Sequence, residues 1–459
     1  MGTLSTHIKR TDDRWVGMAL FWVAIELIVS TPGFDTFEVK LFLLLPIVVL
    51  SFLITLTKPQ KYYSIWPIVM GLLVAHTGYQ LVVGTITTSA LEVVILVLFV
   101  IINLSKNTLP TSANSFPLPG KRFLVAFVIL SIINFLVTIL LGYSYSNALI
   151  ESKGFIIYPL MVGIFIFTVR NTKTLVWAVI IPLLLFLVVA GRGVNEYSAG
   201  ISIGTQNLRI GADYAPINLF GITLASFSLL ALGWSGHYKI GRKKIGLLVI
   251  FFALMAGSFT SVSRTVWVEF AFGFLTLFIF HSKRRVWIIF LVAVLIGILI
   301  INPENITYRI LQADDSSTQS RQFMFQSGWE AIKTYWITGA GWGNGQWYFE
   351  GVGVVPSGSV PWYHNDYFNL AVQVGLPGLF LYLGFWSSVI IYAAKRLRTR
   401  KESLEMAIAI GALSGLIGLF AAAGFEHVLW RPDIAGVVGW MGGILLAALK
   451  LDKERQEQK

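Results

Sequence analysis

The chain has 459 residues, of which 56% are hydrophobic and only 13% charged, far outside the range of a soluble domain. It has no cysteine, so disulfides and thiolate chemistry are excluded. A formal net charge of +12 would suit a nucleic-acid binder, but membrane proteins collect Lys and Arg in their cytoplasmic loops, and no nucleic-acid partner is expected here.

Apolar runs of about 17–25 residues, each long enough to cross a bilayer as a helix, recur from end to end. They predict membrane helices over 15–31, 39–57, 64–82, 86–104, 122–142, 154–169, 174–190, 214–234, 245–260, 265–280, 286–302, 365–394, 404–422 and 434–450. This is an all-α polytopic bundle, with twelve spans as the competing count if neighbouring runs merge. A transmembrane barrel would instead alternate over short strands. The first run follows "HIKRTDDR" without a small-residue cleavage site and reads as a retained helix. No internal repeat or separate soluble domain stands out, so 1–459 is expected to be one membrane domain. With the N-terminus inside, the inner segments hold 26 of the 35 Lys and Arg, which puts both termini in the cytoplasm.

Three outer loops are then more than short connections: 191–213, 303–364 and 423–433. Within the long one, Phe325, Trp329, Ile332 and Trp336 recur at helical spacing. They predict an amphipathic helix near 319–336 lying at the membrane interface, aromatics down. Glycines in "TGAGWGNG" end it, and "GVGVVPSGSVP" reads as a flexible lid or gate.

Cations are scarce on the outer face, so each arginine there needs a reason. Arg264 lies in "GSFTSVSRTVWVEF", between two apolar runs with almost no loop. It either reaches lipid phosphates or lines a cavity for an anionic substrate, where the guanidinium fork grips a diphosphate and never deprotonates. Arg209 precedes a helix start and can equally pair with Asp213, four residues on. Arg321 sits four residues before Phe325 and is placed to reach a headgroup or a substrate phosphate. Arg192 is a weaker candidate for the same work. Arg309 has Glu304 and Asp314 nearby, and Arg431 reads as an interfacial anchor beside Trp430.

His364 faces outward in this topology and can accept a proton near neutral pH, as a general base does. On its own, an interfacial histidine is more often a hydrogen-bonded structural residue. Asn365 could orient the ring or bind a sugar hydroxyl, and Asp366 could pair with either. Glu426 and His427 form a second outer acid–histidine pair. The intramembrane Glu26, Glu92, Glu269 and His76 raise a transporter reading. Asp314 and Asp315 have no convincing ligand cluster around them, and no metal site is expected. Phosphate-loop, HExxH and GxSxG motifs are absent. The residues thus point to an outward cavity with fixed cations and one base, suited to a lipid-linked anionic substrate.

The stretch "HNDYFNLAVQVGLPG" is similar to the motif of the bacterial O-antigen ligase family: His, then Asn, Ser or Gln, nine residues, Gly, two residues, then Gly, Thr or Tyr. Here these are His364, Asn365, Gly375 and Gly378. "GAGWGNG" resembles the family's Gly-rich loop, "SVSRT" its outer turn with an arginine, and "LRIGADYAPINLFG" its arginine segment before an Asn-containing helix start. The resemblance covers roughly 190–440. It implies a GT-C-like integral membrane glycosyltransferase at the periplasmic face of the bacterial inner membrane, among membrane lipids. Such an enzyme moves a glycan from undecaprenyl diphosphate to a sugar hydroxyl of the lipid A core, without metal, nucleotide or other cofactor, and with inversion. It implies His364 as the base and Arg264 and Arg209 as the cations on the diphosphate. Arg321, Arg192, Asn365 and His427 are added as substrate-binding residues on location and chemistry. The motif is shared with polysaccharide polymerases, which use the same donor with a lipid-linked acceptor. One large outer loop rather than two favours the ligase.

Overall fold

The computed structural model describes residues 63–74, 80–83, 86–104, 116–143, 145–199, 217–261, 263–281, 315–344, 363–399 and 402–458. The helices predicted over 15–31, 39–57 and 286–302 lie outside them, as do Arg209, Glu26 and His76.

In chain order, a 3-10 turn at Tyr63–Ile65 leads into α1 (Trp66–Val74), then strands β1 (Gln80–Val83) and β2 (Ile86–Ser89). The helices α2 (Ala90–Leu104), α3 (Lys121–Leu140), α4 (Tyr145–Thr168), α5 (Thr172–Ser198), α6 (Ile217–Ser235), α7 (Arg242–Phe259) and α8 (Arg264–Phe280) follow. The series ends with α9 (Asp315–Tyr335), α10 (Asp366–Arg398), α11 (Leu404–Ala422) and α12 (Pro432–Glu457). The expectation of a helix over 64–82 needs correction. The helix stops at Val74, and Gln80 pairs with Ser89 and Val83 with Ile86 in an antiparallel hairpin. Thr87 and Thr88, in the second strand, favour strand over helix. Every other described regular element is helical.

Seven described helices, α3, α4, α5, α6, α10, α11 and α12, contain stretches long and apolar enough to cross a membrane, as a multi-pass membrane protein requires. Where helices start, the sequence supplies caps. Asn171 accepts the Thr174 amide at 2.8 Å, and Ser403 accepts that of Met406 at 3.1 Å. The core groups α6 with α7, α8 and α11, and α12 with α4 and α11. At one crossing a Cβ on Gly233 would stand 2.4 Å from the Cα of Gly411, so these glycines set how closely α6 and α11 approach. The outer flank is formed by α3 and α10, which pack together, with α9 laid on α10. Along α3, Ile129, Ile133, Leu136 and Leu140 form one exposed stripe at helical spacing, a surface that hydrocarbon solvates and water does not.

Two of the buried carboxylates, Glu92 and Glu269, bond a neighbouring helix. Glu92 accepts Lys153 Nζ at 2.9 Å and the Tyr158 hydroxyl at 3.1 Å, both from α4. Glu269 on α8 accepts the Ser226 hydroxyl of α6 at 2.5 Å. Each has its own partners on its own neighbouring helix, an arrangement that serves helix packing.

Candidate functional site

The histidine at the head of the motif occupies an uncommon backbone conformation. His364 has φ 46°, and it is the one positive-φ residue other than glycine among the described residues. Such strain is held only where the surroundings fix it, and three contacts do so. Asn365 caps α10, its side-chain oxygen accepting the Tyr367 and Phe368 amides at 3.0 and 3.1 Å. The Asp366 amide donates to Ala423 O at 2.9 Å. The fully buried Asp366 carboxylate accepts the amides of Val428 and Leu429 through one oxygen, each at 2.6 Å. Asp366 thereby staples the loop after α11 to the first turn of α10, carrying Glu426 and His427 up to His364.

The resulting contacts are directional. His364 Nδ1 lies 3.0 Å from Glu426 Oε1, and the other Glu426 oxygen accepts the Asn218 amide group at 2.5 Å. Burial pushes the Glu426 carboxyl up, but the His364 hydrogen bond, the charges of His364 and His427, and Asn218 together outweigh it and hold the group down at about 2. An ionised carboxylate only accepts, so the neutral His364 ring carries its proton on Nδ1 and keeps its lone pair on Nε2. The ring is 37% exposed, against 7% for Glu426. A half-open imidazole backed by a buried, fixed carboxylate is the arrangement of an oriented general base.

His427 is buried beside it, the ring centroids 5.1 Å apart. Its Nδ1 is 3.3 Å from Asp366 Oδ1 and 3.3 Å from Trp430 Nε1. The His427 amide also points at Glu426 Oε1, at 3.3 Å. These contacts give His427 a part in building the loop, alongside any contact with substrate.

The candidate cations among the described residues lie on other helices. Arg264 is the exposed first residue of α8. Gly418, near the end of α11, packs on Glu269, one turn and a half into α8, so the start of α8 and the end of α11 share one side of the bundle. Gly221 of α6 packs on Ser261 and Val266, which brings Asn218 to the same side. Arg192 also reaches it: it lies inside α5 and not in a loop, because the helix continues to Ser198 and not to 190 as expected, and Gly193 meets Phe220 and Thr260. Its Nε bonds Glu196 Oε1 at 2.8 Å, one turn on. Arg321 is on α9, one turn before Phe325, whose ring meets Phe368 edge-on at 5.1 Å. His364, Asn365, Glu426, His427, Asn218, Arg264 and Arg192 therefore belong to one end of the bundle.

The Gly-rich segment after α9 docks on the same motif. Gly375 has φ 73° and interrupts α10, and Pro377 lacks the amide that Gln373 O would accept in a continuous helix. The Leu376 amide turns instead to Trp336 O at 2.8 Å. The freed carbonyls of Val372 and Gln373 accept the amides of Ala340 and Gly341 at 2.7 and 3.1 Å. Asn134 of α3 closes the socket: its amide nitrogen donates to Thr338 O at 2.9 Å and Gln373 O at 3.2 Å, and its oxygen accepts the Trp342 amide at 3.1 Å. The glycine of the motif thus anchors the long loop rather than touching the histidine. Asn134 and Gln373 escape sequence reasoning as site residues, since a lone amide in an apolar run carries no spacing signal, and Asn218 is marked only as the Asn of a helix start, without its partner.

No curated protein matches the chain. Residues 247–383, which run from α7 through Arg264, Arg321 and His364 to the interrupted part of α10, match the family model described as O-antigen ligase, the family whose histidine motif the stretch from His364 to Gly378 resembles.

Proposed function

We propose that the protein is an O-antigen ligase, transferring a glycan from undecaprenyl diphosphate to a sugar hydroxyl of the lipid A core at the periplasmic face of the inner membrane. The observation that carries this reading is the half-exposed His364 held by the buried, ionised Glu426, within a motif in the segment that matches the ligase family. His364 Nε2 takes the proton of the acceptor hydroxyl as its oxygen attacks the anomeric carbon. The carbon–oxygen bond to the diphosphate breaks, and undecaprenyl diphosphate leaves with the electron pair. Arg264, with Arg209, offsets the charge that develops on it. Direct displacement inverts the anomeric centre, and the diphosphate leaves without help from a nucleotide or metal. Arg321 and Arg192 bind donor phosphates in this reading, with Asn365 and His427 supporting the base.

The test is transfer by the purified chain, given undecaprenyl-diphosphate-linked glycan and lipid A core in the presence of chelator. Glycan on the lipid A core is the expected product. Longer undecaprenyl-linked chains with an unmodified core would replace the ligase by a polymerase, and no product from intact substrates would discard both.

Two variants divide the roles. Glu426→Gln keeps an acceptor for His364 Nδ1 but loses its charge, and a charge-assisted hydrogen bond exceeds a neutral one by about 1–1.5 kcal/mol. A fall in kcat of about tenfold is expected, with KM for the acceptor little changed; an unaltered kcat would remove Glu426 from the mechanism. Arg264→Lys keeps the charge and loses the planar fork, and transfer should fall by roughly 10- to 100-fold, the loss of one charge-assisted hydrogen bond or two. Wild-type kinetics in Arg264→Lys would leave Arg264 as a headgroup anchor.

A further inference from the structure

The contacts around His364 have a second chemical use. One ligand atom each from His364, Glu426 and His427 lie within 4.8 Å of one another. His364 Nδ1 and Glu426 Oε1 are already 3.0 Å apart. Two ligands side by side on one ion, each about 2.0–2.1 Å from it, sit roughly 3.0–3.4 Å from each other. That edge is preformed, and the third ligand, within 4.8 Å of the other two, needs to close by at most roughly 2 Å. His364, on a half-exposed loop position, has room to move.

The surroundings also match a metal's outer shell. Asp366 Oδ1 stands 3.3 Å from His427 Nδ1, and Asn218 holds the second oxygen of Glu426 at 2.5 Å. Carboxylates behind histidines and donors behind carboxylates are what orient ligands on a metal. With Nδ1 directed at Asp366, His427 would offer Nε2. Two imidazoles and one carboxylate suit a zinc-class ion and not calcium or magnesium, which take all-oxygen sets. Three protein ligands leave a fourth position for water.

We propose that His364, Glu426 and His427 form an inhibitory site for a zinc-class divalent cation. The inhibition rests on the reading of His364 as the base; the binding does not. A cation between His364 Nδ1 and Glu426 displaces the proton shared there to Nε2, where it occupies the lone pair that takes up the acceptor's proton. A cation on Nε2 removes that lone pair directly.

The experiment uses the full chain, purified in detergent and stripped with EDTA, and titrated with zinc chloride against a chromophoric zinc chelator. One equivalent should bind. His364→Asn and Glu426→Gln should each weaken binding by about tenfold or more, as loss of a ligand does at least as severely as loss of its outer-shell partner. His237→Ala, at an exposed histidine on the turn between α6 and α7, should bind as the wild type does. Cobalt(II) in place of zinc should give visible absorption bands that disappear in the same two variants. Transfer by the wild type should fall with zinc and return with EDTA. No stoichiometric ion, or equal binding in the site variants and wild type, overturns the site. The variant at half-exposed His364 keeps this outcome decisive even if a buried His427→Gln chain fails to fold. Zinc bound at the site with no transfer by the metal-free protein overturns the catalytic reading and leaves the site. Transfer unaffected by saturating zinc overturns the inhibition alone.

Discussion

His364→Asn should lower kcat for transfer by about 10²- to 10⁴-fold, the contribution of a positioned general base, while the protein inserts and folds as the wild type does. Asparagine is the informative replacement because the backbone sits at φ 46°, a conformation asparagine tolerates better than most side chains. The substitution therefore removes the imidazole without adding backbone strain. His364→Ala adds some strain and should be at least as inactive. If the ring acts on the acceptor hydroxyl as proposed, and not on the polyprenyl chain, KM for the donor should hold. The double variant with Glu426→Gln should be no worse than His364→Asn, since a carboxylate that acts through the ring has nothing left to act on. Transfer at the wild-type rate by His364→Asn would end the base assignment. A further tenfold loss in the double variant would show that Glu426 works on its own.

Much of the helical frame is legible in the sequence because membrane helices report themselves. A bilayer-length apolar run has few alternatives, and α3, α6, α7, α8, α10 and α11 begin and end within a few residues of the hydropathy boundaries. The errors have local causes. The run at 64–82 is apolar enough for a helix, but Thr87 and Thr88 behind it favour the hairpin, and hydropathy does not distinguish the two. Arg192 looks like a loop residue because "GRGVNE" is polar, yet α5 continues through it with the Arg192–Glu196 pair on one face. For the site, the residues with rare chemistry were visible: His364, Arg264, Glu426 and His427 are few in a chain with so few charges. What remained hidden was pairing across sequence separation. Nothing in the text of the chain links Asn218 to Glu426, 208 residues apart, or sets Asp366 beneath the amides of Val428 and Leu429. Those links exist because α6 and α10 begin, and α11 ends, on the same side of the bundle.

The same argument explains why the motif contains a glycine eleven residues after its histidine, and predicts what removing it does. Gly375→Val should release the loop that carries α9 while the rest of the bundle stays assembled. A side chain there must adopt φ 73°, costing about 1–2 kcal/mol, and its Cβ would stand 2.5 Å from Ile337 O and 2.9 Å from Trp336 O. The backbone relieves that overlap only by withdrawing. Withdrawal breaks the Leu376–Trp336, Ala340–Val372 and Gly341–Gln373 hydrogen bonds, and the Asn134 clamp with them. At about 1 kcal/mol each, and more for any group left buried and unpaired, the total approaches 4–6 kcal/mol, enough to undock a loop and too local to unfold the transmembrane core. Protease added to the purified protein should then cut within 336–344 at least tenfold faster than in the wild type, with the helices on either side protected. Transfer should fall as well, because α9 rests on Phe368 in the first turn behind His364 and loses its seat there. Asn134→Ala should produce the same cleavage in milder form, since it removes the clamp and leaves the carbonyl socket. Unchanged cleavage in Gly375→Val would mean that the interruption of α10 is not what holds the loop, and the motif's glycine would need another explanation.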